Sequence, residues 1–389
     1  MKTVLLFCDH VLPEGHPNAT RMISLAKILK LINFNVFMLG VDSGEEQTLE
    51  GIYDGVRYCV LPESNLSGAF SVYKSKYNAR KRTMNWIESF CSNNNVELII
   101  SFGSYTAYGH KLLNFTRKNK IKLAESVCEW YDCKSFGGRF GYLKYLLNRY
   151  SLIILYPRMR NIITISRLLE NYYRKKGCNT IRIPTILDID KYQEVNFPAN
   201  DKLVLVYAGS PVKKDYISNV ILAIYALGEE ERKKVEFRIF GTDRKFISTE
   251  LEVSEAILDE LKTSVHINGV IPYSCVKEEL KKADFSVLLR PNKRYANAGF
   301  PTKVGESMAA GVPVIANLTS DIGLYLEDER QGLICEDCSV HSCTKVIQRA
   351  LQLSNEKKMF MRLSAYEVAK NVFNYKTYIE SLSKFIANM

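Results

Sequence analysis

The chain has 389 residues, of which 47% are hydrophobic, which is enough for two globular domains with cores of their own. No unbroken apolar run approaches the ~20 residues that cross a bilayer, so a transmembrane anchor is not expected. The formal net charge is +11, and residues 1–190 hold 26 Lys and Arg against 16 Asp and Glu. The first half is therefore expected to face an anionic surface or acceptor.

The start of the chain predicts an intracellular protein. The apolar run 4–8 ends at Asp9 and His10 and is too short for a signal-peptide core. The ten cysteines are scattered, as is typical of reduced thiols, so we expect a cytoplasmic location. One cluster, Cys335, Cys338, His341 and Cys343, lacks the two separated ligand pairs of structural zinc sites, and ordinary thiols are favoured over a metal site there.

Strand-like and helix-like segments alternate through the first half, which is the pattern of a doubly wound parallel sheet. Residues 2–8 predict a strand and residues 18–31 a helix. The loop between them, which contains Gly15, lies where open α/β sheets bind ligands. It lacks the Gly-x-Gly-x-x-Gly of dinucleotide oxidoreductases. The later segments are strands at 35–39, 97–101 and 121–127 and helices at 73–91 and from Tyr105.

Residues 137–160 form a basic segment rich in leucine and tyrosine. Such a segment is able to lie in a membrane interface. The alternative is a sheet-covering helix whose charged face is merely solvated. The basic excess of the first half favours an anionic membrane surface. We place the end of the first domain at residue 187 and a polar, turn-rich linker at 188–201.

The strand pattern restarts at 203–207, and a glycine turn with two lysines follows it. Gly209 and Ser210 precede Lys213 and Lys214, and a helix is predicted from Ile217. The helix dipole disfavours unpaired lysines at a helix start, so their presence there indicates a bound anion such as a phosphate. The alternative is an ordinary basic helix start.

The most informative stretch follows the predicted buried strand 285–289 and Arg290. Gly299 allows a tight turn, and Pro301 with Thr302 suits the start of a helix whose free N–H groups favour an anion. Glu306 falls about one turn into that helix, where its carboxylate is able to accept hydrogen bonds from vicinal hydroxyls. Residues 311–313 end the helix. An ordinary βαβ crossover explains the spacing equally well.

This stretch resembles the donor-sugar loop of the retaining family 4 glycosyltransferases of the GT-B fold, and more closely a branch that builds bacterial surface polysaccharides. The resemblance rests on Gly299, Phe300, Glu306 and the Gly-x-Pro-Val-Ile at 311–315. It implies two Rossmann-like parallel-sheet domains that face across a cleft: 1–187, joined by a C-terminal helix at 370–389, and 202–369. Ala298 departs from the family's first Glu, and Ser210 departs from its Arg.

The resemblance also implies an activity and a site. A nucleotide-diphosphate sugar would be the donor and a lipid-linked or growing glycan the acceptor. No metal or other cofactor is expected, since Lys213, Lys214 and helix N-termini are able to hold the leaving diphosphate. Nucleic acid is not expected as a partner, because no nucleic-acid motif is present. Glu129, Asp132 and Lys214 are the candidate catalytic residues. For Glu129 and Asp132, the alternative to a catalytic role is an ordinary polar loop beside Trp130. The candidate donor-binding residues are Gly15, Gly209, Ser210, Lys213, Lys214, Gly241, Arg290, Gly299, Phe300, Pro301, Thr302, Lys303 and Glu306.

Two other functions remain open at the level of sequence. A sugar-nucleotide epimerase shares the GT-B architecture. A non-catalytic nucleotide-sugar-binding subunit would explain the departures at Ala298 and Ser210. The departure at Ala298 otherwise implies a donor that presents no hydroxyl there, for example a deoxy or acetamido sugar.

Overall fold

The structure is a computed structural model that describes residues 1–10, 12–13, 17–41, 47–62, 69–103, 106–138, 140–192, 198, 200–211 and 214–389. These residues form two compact units. The first combines Met1–Ile186 with Tyr375–Met389, and the second is Leu187–Asn374. Residues 188–192, expected in a linker, therefore belong to the second unit, with a 3₁₀ turn at Ile189–Lys191.

The first unit alternates strands with helices, and a π-helical turn at Ser151–Leu155 joins two of its helices. Its elements are β1 (Thr3–Cys8), α1 (Pro17–Leu31), β2 (Asn35–Val41), β3 (Leu49–Tyr53), β4 (Val56–Leu61), α2 (Ala69–Asn93), β5 (Val96–Phe102), α3 (Thr106–Lys118), β6 (Lys122–Val127), α4 (Gly141–Tyr150), α5 (Tyr156–Met159), β7 (Asn161–Thr164), α6 (Arg167–Lys175), β8 (Asn179–Arg182) and, after the second unit, α16 (Ile379–Ala387).

Among the described residues, these strands form one eight-stranded sheet in the order β3-β4-β2-β1-β5-β6-β7-β8. All neighbours are parallel except β3 and β4. Every residue of β1 is buried, as is usual for a parallel strand covered on both faces. Helix α16 belongs to the same core, since Leu382, Phe385 and Ile386 pack in one cluster with α1 and β1.

The sequence analysis did not predict the antiparallel pair β3–β4 at the edge of this sheet. Its turn is Asp54-Gly55, and both residues have positive φ, 50° and 73°. An Asp-Gly turn of this kind matches the twist of a two-residue β-hairpin. The dipeptide was therefore a usable signal in the sequence.

The second unit is built in the same way. Its elements are β9 (Leu203–Ala208), α7 (Ile217–Tyr225), α8 (Glu229–Arg232), β10 (Val235–Phe240), α9 (Arg244–Thr249), α10 (Glu255–Glu260), β11 (Val265–Ile267), α11 (Tyr273–Lys281), β12 (Phe285–Leu288), α12 (Arg294–Ala298), α13 (Thr302–Ala309), β13 (Val314–Asn317), β14 (Gly332–Cys335), α14 (Val340–Leu351) and α15 (Asn355–Val368).

The strands of the second unit form a parallel sheet in the order β11-β10-β9-β12-β13-β14, six strands within the described residues. The strand order reverses between β9 and β12. Open α/β sheets bind ligands outside the carboxyl ends of the strands at such a switch point. The predicted class, α/β with two doubly wound, mainly parallel sheets, is confirmed.

The local predictions around the switch point are confirmed as well. A helix begins at Thr302, another at Ile217, and the chain returns to the sheet at Val314. Gly311, with φ 68°, terminates α13 in the left-handed region where glycine is favoured. No helix of the described chain is long and apolar enough to cross a membrane.

Candidate functional site

Two glycine turns approach each other at the carboxyl ends of β9 and β10. Gly209 has φ 137° and Gly241 has φ 94°, and a Cβ on Gly241 would lie 2.6 Å from the carbonyl of Gly209. The Gly209 N–H donates to the Phe240 carbonyl at 3.0 Å, and the Gly241 N–H donates to the Gly269 carbonyl at 2.7 Å. Both positions therefore require glycine, because a side chain would separate the turns.

A buried carboxylate lies at the switch point. Asp215 is 1% exposed, and its Oδ1 accepts from Nε of Arg290 at 2.7 Å. Its Oδ2 accepts from Nζ of Lys303 and from the phenol of Tyr207, both at 2.9 Å. The Tyr216 N–H donates to the Leu289 carbonyl at 2.8 Å and so ties the loop that carries Asp215 to the end of β12. We call Tyr207, Asp215, Arg290 and Lys303 the Asp215 cluster.

The charges of the Asp215 cluster do not cancel. Burial alone would raise the pKa of Asp215, but Lys303 and Arg290 outweigh that effect and hold it well below its usual range. The carboxylate is therefore ionised at neutral pH, and two cations face one anion. The pKa of Tyr207 is raised well above its usual value by burial and by Asp215, so its phenol stays a donor. The net charge is +1, which favours a bound anion at the exposed side of the cluster.

Lys303 forms that exposed side. It is the second residue of α13, and its Nζ lies 5.1 Å from the centre of the Tyr207 ring. A Cβ on Gly209 would lie 2.4 Å from Cε of Lys303, so the lysine side chain lies directly against the glycine turn. Arg290 is held more rigidly, because its N–H and carbonyl pair with the side chain of Asn317 at 2.8 and 2.7 Å.

Glu306 lies on the same pocket as Lys303, together with residues of β9 and β12. Its Oε1 accepts from the phenol of Tyr273, the first residue of α11, at 2.8 Å. Burial raises the pKa of Glu306, and the Tyr273 hydrogen bond and the charge of Lys303 oppose that rise. Its side chain is densely surrounded by protein atoms yet keeps an exposed edge, which suits a hydroxyl-binding carboxylate.

The glycine-phenylalanine turn before α13 is anchored by side chains of the core of the second unit. The Phe300 ring packs against Tyr325 and Phe373, with centroids at 5.5 and 5.6 Å. The Gly299 carbonyl accepts from the Ser320 hydroxyl, and the methyl of Ala298 is fully buried. The Phe300 side chain thus anchors the loop, and its backbone is the part left to contact a ligand.

The structure describes only part of the loop after β9 that carries the two predicted phosphate-binding lysines. Ser210 is exposed and Lys214 is half-buried, whereas Lys213 lies outside the described residues. Arg290 and Lys303 are the cations that converge on the switch point. Pro301 is buried and Thr302 begins α13. The roles assigned to Lys213 and Lys214 stay predictions.

In the first unit, Glu129 and Asp132 follow β6 as expected. The Asp132 carboxylate caps the 3₁₀ turn Cys133–Ser135, where it accepts from the Ser135 N–H and hydroxyl, both at 3.2 Å. Glu129 is half-buried beside Trp130, whose ring packs edge-on against Tyr172. The capping contact favours a structural role for Asp132. Gly15 lies outside the described residues.

The residues of the predicted cysteine cluster differ in burial in the structure. Cys335 and Cys343 are buried, whereas Cys338 is half-buried and His341 is exposed. A hydrogen bond between the Cys335 and Cys343 thiols and burial raise the pKa of Cys343 well above its usual value. Across the described chain, no group of three His, Cys, Asp or Glu side chains is placed to hold a metal ion. The thiols here belong to the packing of β14 against α14.

Comparison with known proteins agrees with this geometry. Residues 188–367 match the family model described as glycosyl transferases group 1. Similar solved structures include sucrose-phosphate synthase from Thermosynechococcus elongatus, with 16% identity, a TM-score of 0.75, and 100% of this chain and 99% of that chain covered.

Two further solved structures extend the comparison. Anabaena HepE in complex with UDP-glucose has 13% identity and a TM-score of 0.70, with 99% and 100% of the two chains covered. WaaG, a glycosyltransferase involved in lipopolysaccharide biosynthesis, has 14% identity and a TM-score of 0.67, again with 99% and 100% covered. Among curated proteins, none matches the sequence. The chain has the GT-B fold, and the matched domain supports a glycosyltransferase.

The sequence analysis assigned no role to Asp215, Tyr207 or Tyr273. A charged residue directly after a lysine pair at the carboxyl end of a strand was the available signal for Asp215. In the sequence, Tyr207 is indistinguishable from the apolar residues of a buried strand, because the sequence does not show that its phenol contacts Asp215. Tyr273 lies 33 positions before Glu306, and only the fold brings the two together.

Proposed function

We propose that the protein is a retaining glycosyltransferase that moves a sugar from a nucleotide-diphosphate donor to a hydroxyl of a lipid-linked or growing surface polysaccharide. The observation that carries the proposal is the Asp215 cluster, in which Lys303 and Arg290 converge on the switch point inside the matched domain. A diphosphate bound beside Lys303 would neutralise the excess positive charge.

The same charges bear on the reaction itself. The bond from the anomeric carbon to the diphosphate oxygen breaks, the bond to the acceptor oxygen forms, and the proton of the acceptor hydroxyl passes to the leaving diphosphate. Negative charge grows on the leaving diphosphate in this step. A preorganised cation stabilises that charge without reorganisation. Because Lys303 and Arg290 supply fixed positive charge, we propose that the transfer proceeds without a metal ion.

We further propose that the first unit docks on an anionic membrane. Helix α4 and the π-helical turn after it expose large apolar side chains at helical spacing: Leu143, Leu146, Leu147, Tyr150 and Ile154. We call these five residues the apolar face. Leu143 is 54% and Leu147 46% exposed, which is unusual for leucines so close together.

The positive charge around the apolar face favours an anionic membrane as its partner. From Cys133 to Leu169 the chain has seven Lys or Arg and no Asp or Glu. Helix α3, which packs beside this segment, also lacks acidic residues and ends in Arg117 and Lys118. An apolar helix face with a basic surround is suited to the interface of an anionic bilayer. That surface is where a lipid-linked acceptor would be presented.

The donor reaction is tested by incubating the purified protein with a panel of nucleotide sugars, with and without a chelator. A transferase slowly hydrolyses its donor to free sugar and nucleoside diphosphate and accelerates when acceptor lipid is added. Isomerised donor would instead identify an epimerase, and binding without turnover a non-catalytic subunit. Loss of turnover with the chelator would contradict the metal-independent form of the proposal.

A further inference from the structure

The hydrogen bond between Tyr273 and Glu306 joins two elements at the pocket. Tyr273 is the first residue of α11 and Glu306 lies one turn inside α13, so the bond links a loop-to-helix junction to the helix of the anion site. Tyr273 is 49% exposed, whereas its phenol reaches inward to Oε1 of Glu306. An exposed tyrosine that orients a half-buried carboxylate is not needed for the core of the unit.

The bond engages one oxygen of the carboxylate and leaves the other without a protein partner among the described residues. Within the described chain, Oε1 takes the Tyr273 hydrogen bond and Oε2 has no hydrogen-bond or ion-pair partner. The other titratable groups around Glu306 are Lys303, one turn earlier on α13, and Tyr192, the residue after the 3₁₀ turn Ile189–Lys191. The pKa of Tyr192 is raised by burial and then by Glu306, so this second phenol also remains protonated.

The geometry points to Tyr273 as a positioning residue: its phenol fixes the Glu306 carboxylate so that Oε2 accepts a hydroxyl of the donor's ribose. This inference rests on the proposed donor site. The phenol takes one acceptor position of Oε1, so Oε2 is the oxygen left fully open to a ribose hydroxyl. Tyr273 therefore acts through Glu306 and increases the discrimination between ribonucleotides and nucleotides that lack that hydroxyl.

The experiment uses the full chain and its Tyr273→Phe variant, with Tyr225→Phe as the matched control. Tyr225 is a half-buried tyrosine of the same unit that packs against Arg232, away from the pocket. Binding of UDP, GDP, ADP and CDP is measured by calorimetry. The tightest ligand is then compared with its 2′-deoxy and 3′-deoxy forms, from pH 5 to pH 8.

We expect Tyr273→Phe to weaken the tightest ribonucleotide about tenfold, as for one hydrogen bond to a charged group. Affinity for the deoxy form that lacks the recognised hydroxyl should change less than about twofold, and Glu306→Ala should abolish the difference between the two forms. In the unmodified protein, affinity falls as Glu306 is protonated on acidification. Without the phenol that lowers the pKa of Glu306, this fall should begin at a higher pH.

The outcomes separate the two proposals. Nucleotide binding by the unmodified protein together with an unchanged Tyr273→Phe variant overturns the positioning role and leaves the donor site intact. Equal weakening of ribose and deoxyribose forms also overturns it, because it indicates a general loss of pocket structure. If none of the four nucleotides binds the unmodified protein, the donor site fails and the positioning role fails with it.

Discussion

The ammonium of Lys303 lies 2.9 Å from Oδ2 of Asp215, although 88 positions separate the two residues in the chain. One comes from the start of α13 and the other from the loop after β9. The fold therefore places the Lys303 ammonium, at the start of α13, against the Asp215 carboxylate of the loop after β9. The Asp215 cluster is thus assembled from elements that lie far apart in the chain.

Lys303→Ala is expected to lower affinity for the nucleoside diphosphate about 10- to 100-fold, since a charged contact to phosphate is lost. Affinity for the corresponding nucleoside should stay within about twofold. Calorimetry with both ligands measures the difference, and Lys345→Ala, an exposed lysine on α14, is the control. Equal weakening of both ligands would show that Lys303 only supports the fold.

Asp215→Asn is expected to destabilise the second unit by about 3 to 5 kcal/mol at neutral pH, because the buried Arg290 and the half-buried Lys303 lose their counter-ion. Urea unfolding followed by a probe in the second unit measures this free energy. The matched control is Asp259→Asn, which removes an exposed partner of Arg244 and should cost about 1 kcal/mol or less. Equal effects of the two changes would refute the buried ion-pair account.

The same carboxylate gives a pH dependence with a definite sign. The pKa of Asp215 is depressed in the folded state, so at acid pH the unfolded chain binds the extra proton. Its stabilisation is complete above the ordinary carboxyl pKa of about 3.9 and is lost as the pH falls below that value. Between pH 5 and pH 3 the unmodified protein should lose about 1 kcal/mol more than Asp215→Asn. Parallel acid profiles for the two proteins would contradict this.

Leu143→Ser with Leu147→Ser is expected to reduce binding to anionic liposomes about tenfold or more, because two leucines no longer enter the interface. Binding of the unmodified protein should also fall as salt rises. Flotation measures both effects. Phe360→Ser with Leu363→Ser is the control, since these side chains are 50% and 48% exposed on α15 of the other unit. Flotation that is insensitive to the α4 change would remove the membrane proposal.

Donor preference is the last prediction. The side chain at position 298 is a buried methyl rather than a carboxylate, so it supplies no acceptor to a sugar hydroxyl, and an unpaired hydroxyl costs about 1 to 3 kcal/mol. Deoxy or acetamido donors should therefore have a higher kcat/KM than glucose or galactose donors with the same nucleotide. Competition kinetics with paired donors provides the measurement. A glucose or galactose donor as the best substrate would reject this explanation of Ala298.

Periodicity and turn residues predicted the elements of the second unit around the switch point, because parallel strands buried on both faces are continuous apolar runs. Helix α13 was predicted to its first residue, since Pro301 and Thr302 carry a local signal. Asp215 could not be assigned in the same way. Its partners Arg290 and Lys303 lie on other loops, and a sequence does not show which loops meet at a switch point.

The first unit was less predictable for a related physical reason. Strand β3 has a largely exposed burial pattern, so it lacks the apolar run that marks a buried parallel strand. The sequence of segment 137–160 was enough to predict a basic, amphipathic helical segment. Only the structure shows that Leu143 and Leu147 face outward, because an amphipathic helix has the same sequence whether its apolar side is covered or open.

The chain enters the second unit at Leu187 and leaves it at Asn374, and these two residues pair as a parallel bridge. The Leu187 N–H also donates to the Phe373 carbonyl at 2.7 Å. The unit is thus an insertion whose two ends are neighbours, and exchanging it at these points would cut no strand of either sheet. Recombination between related genes could replace one such insert by another while α16 still completes the first core. New pairings of donor and acceptor would then arise without either half having to fold anew.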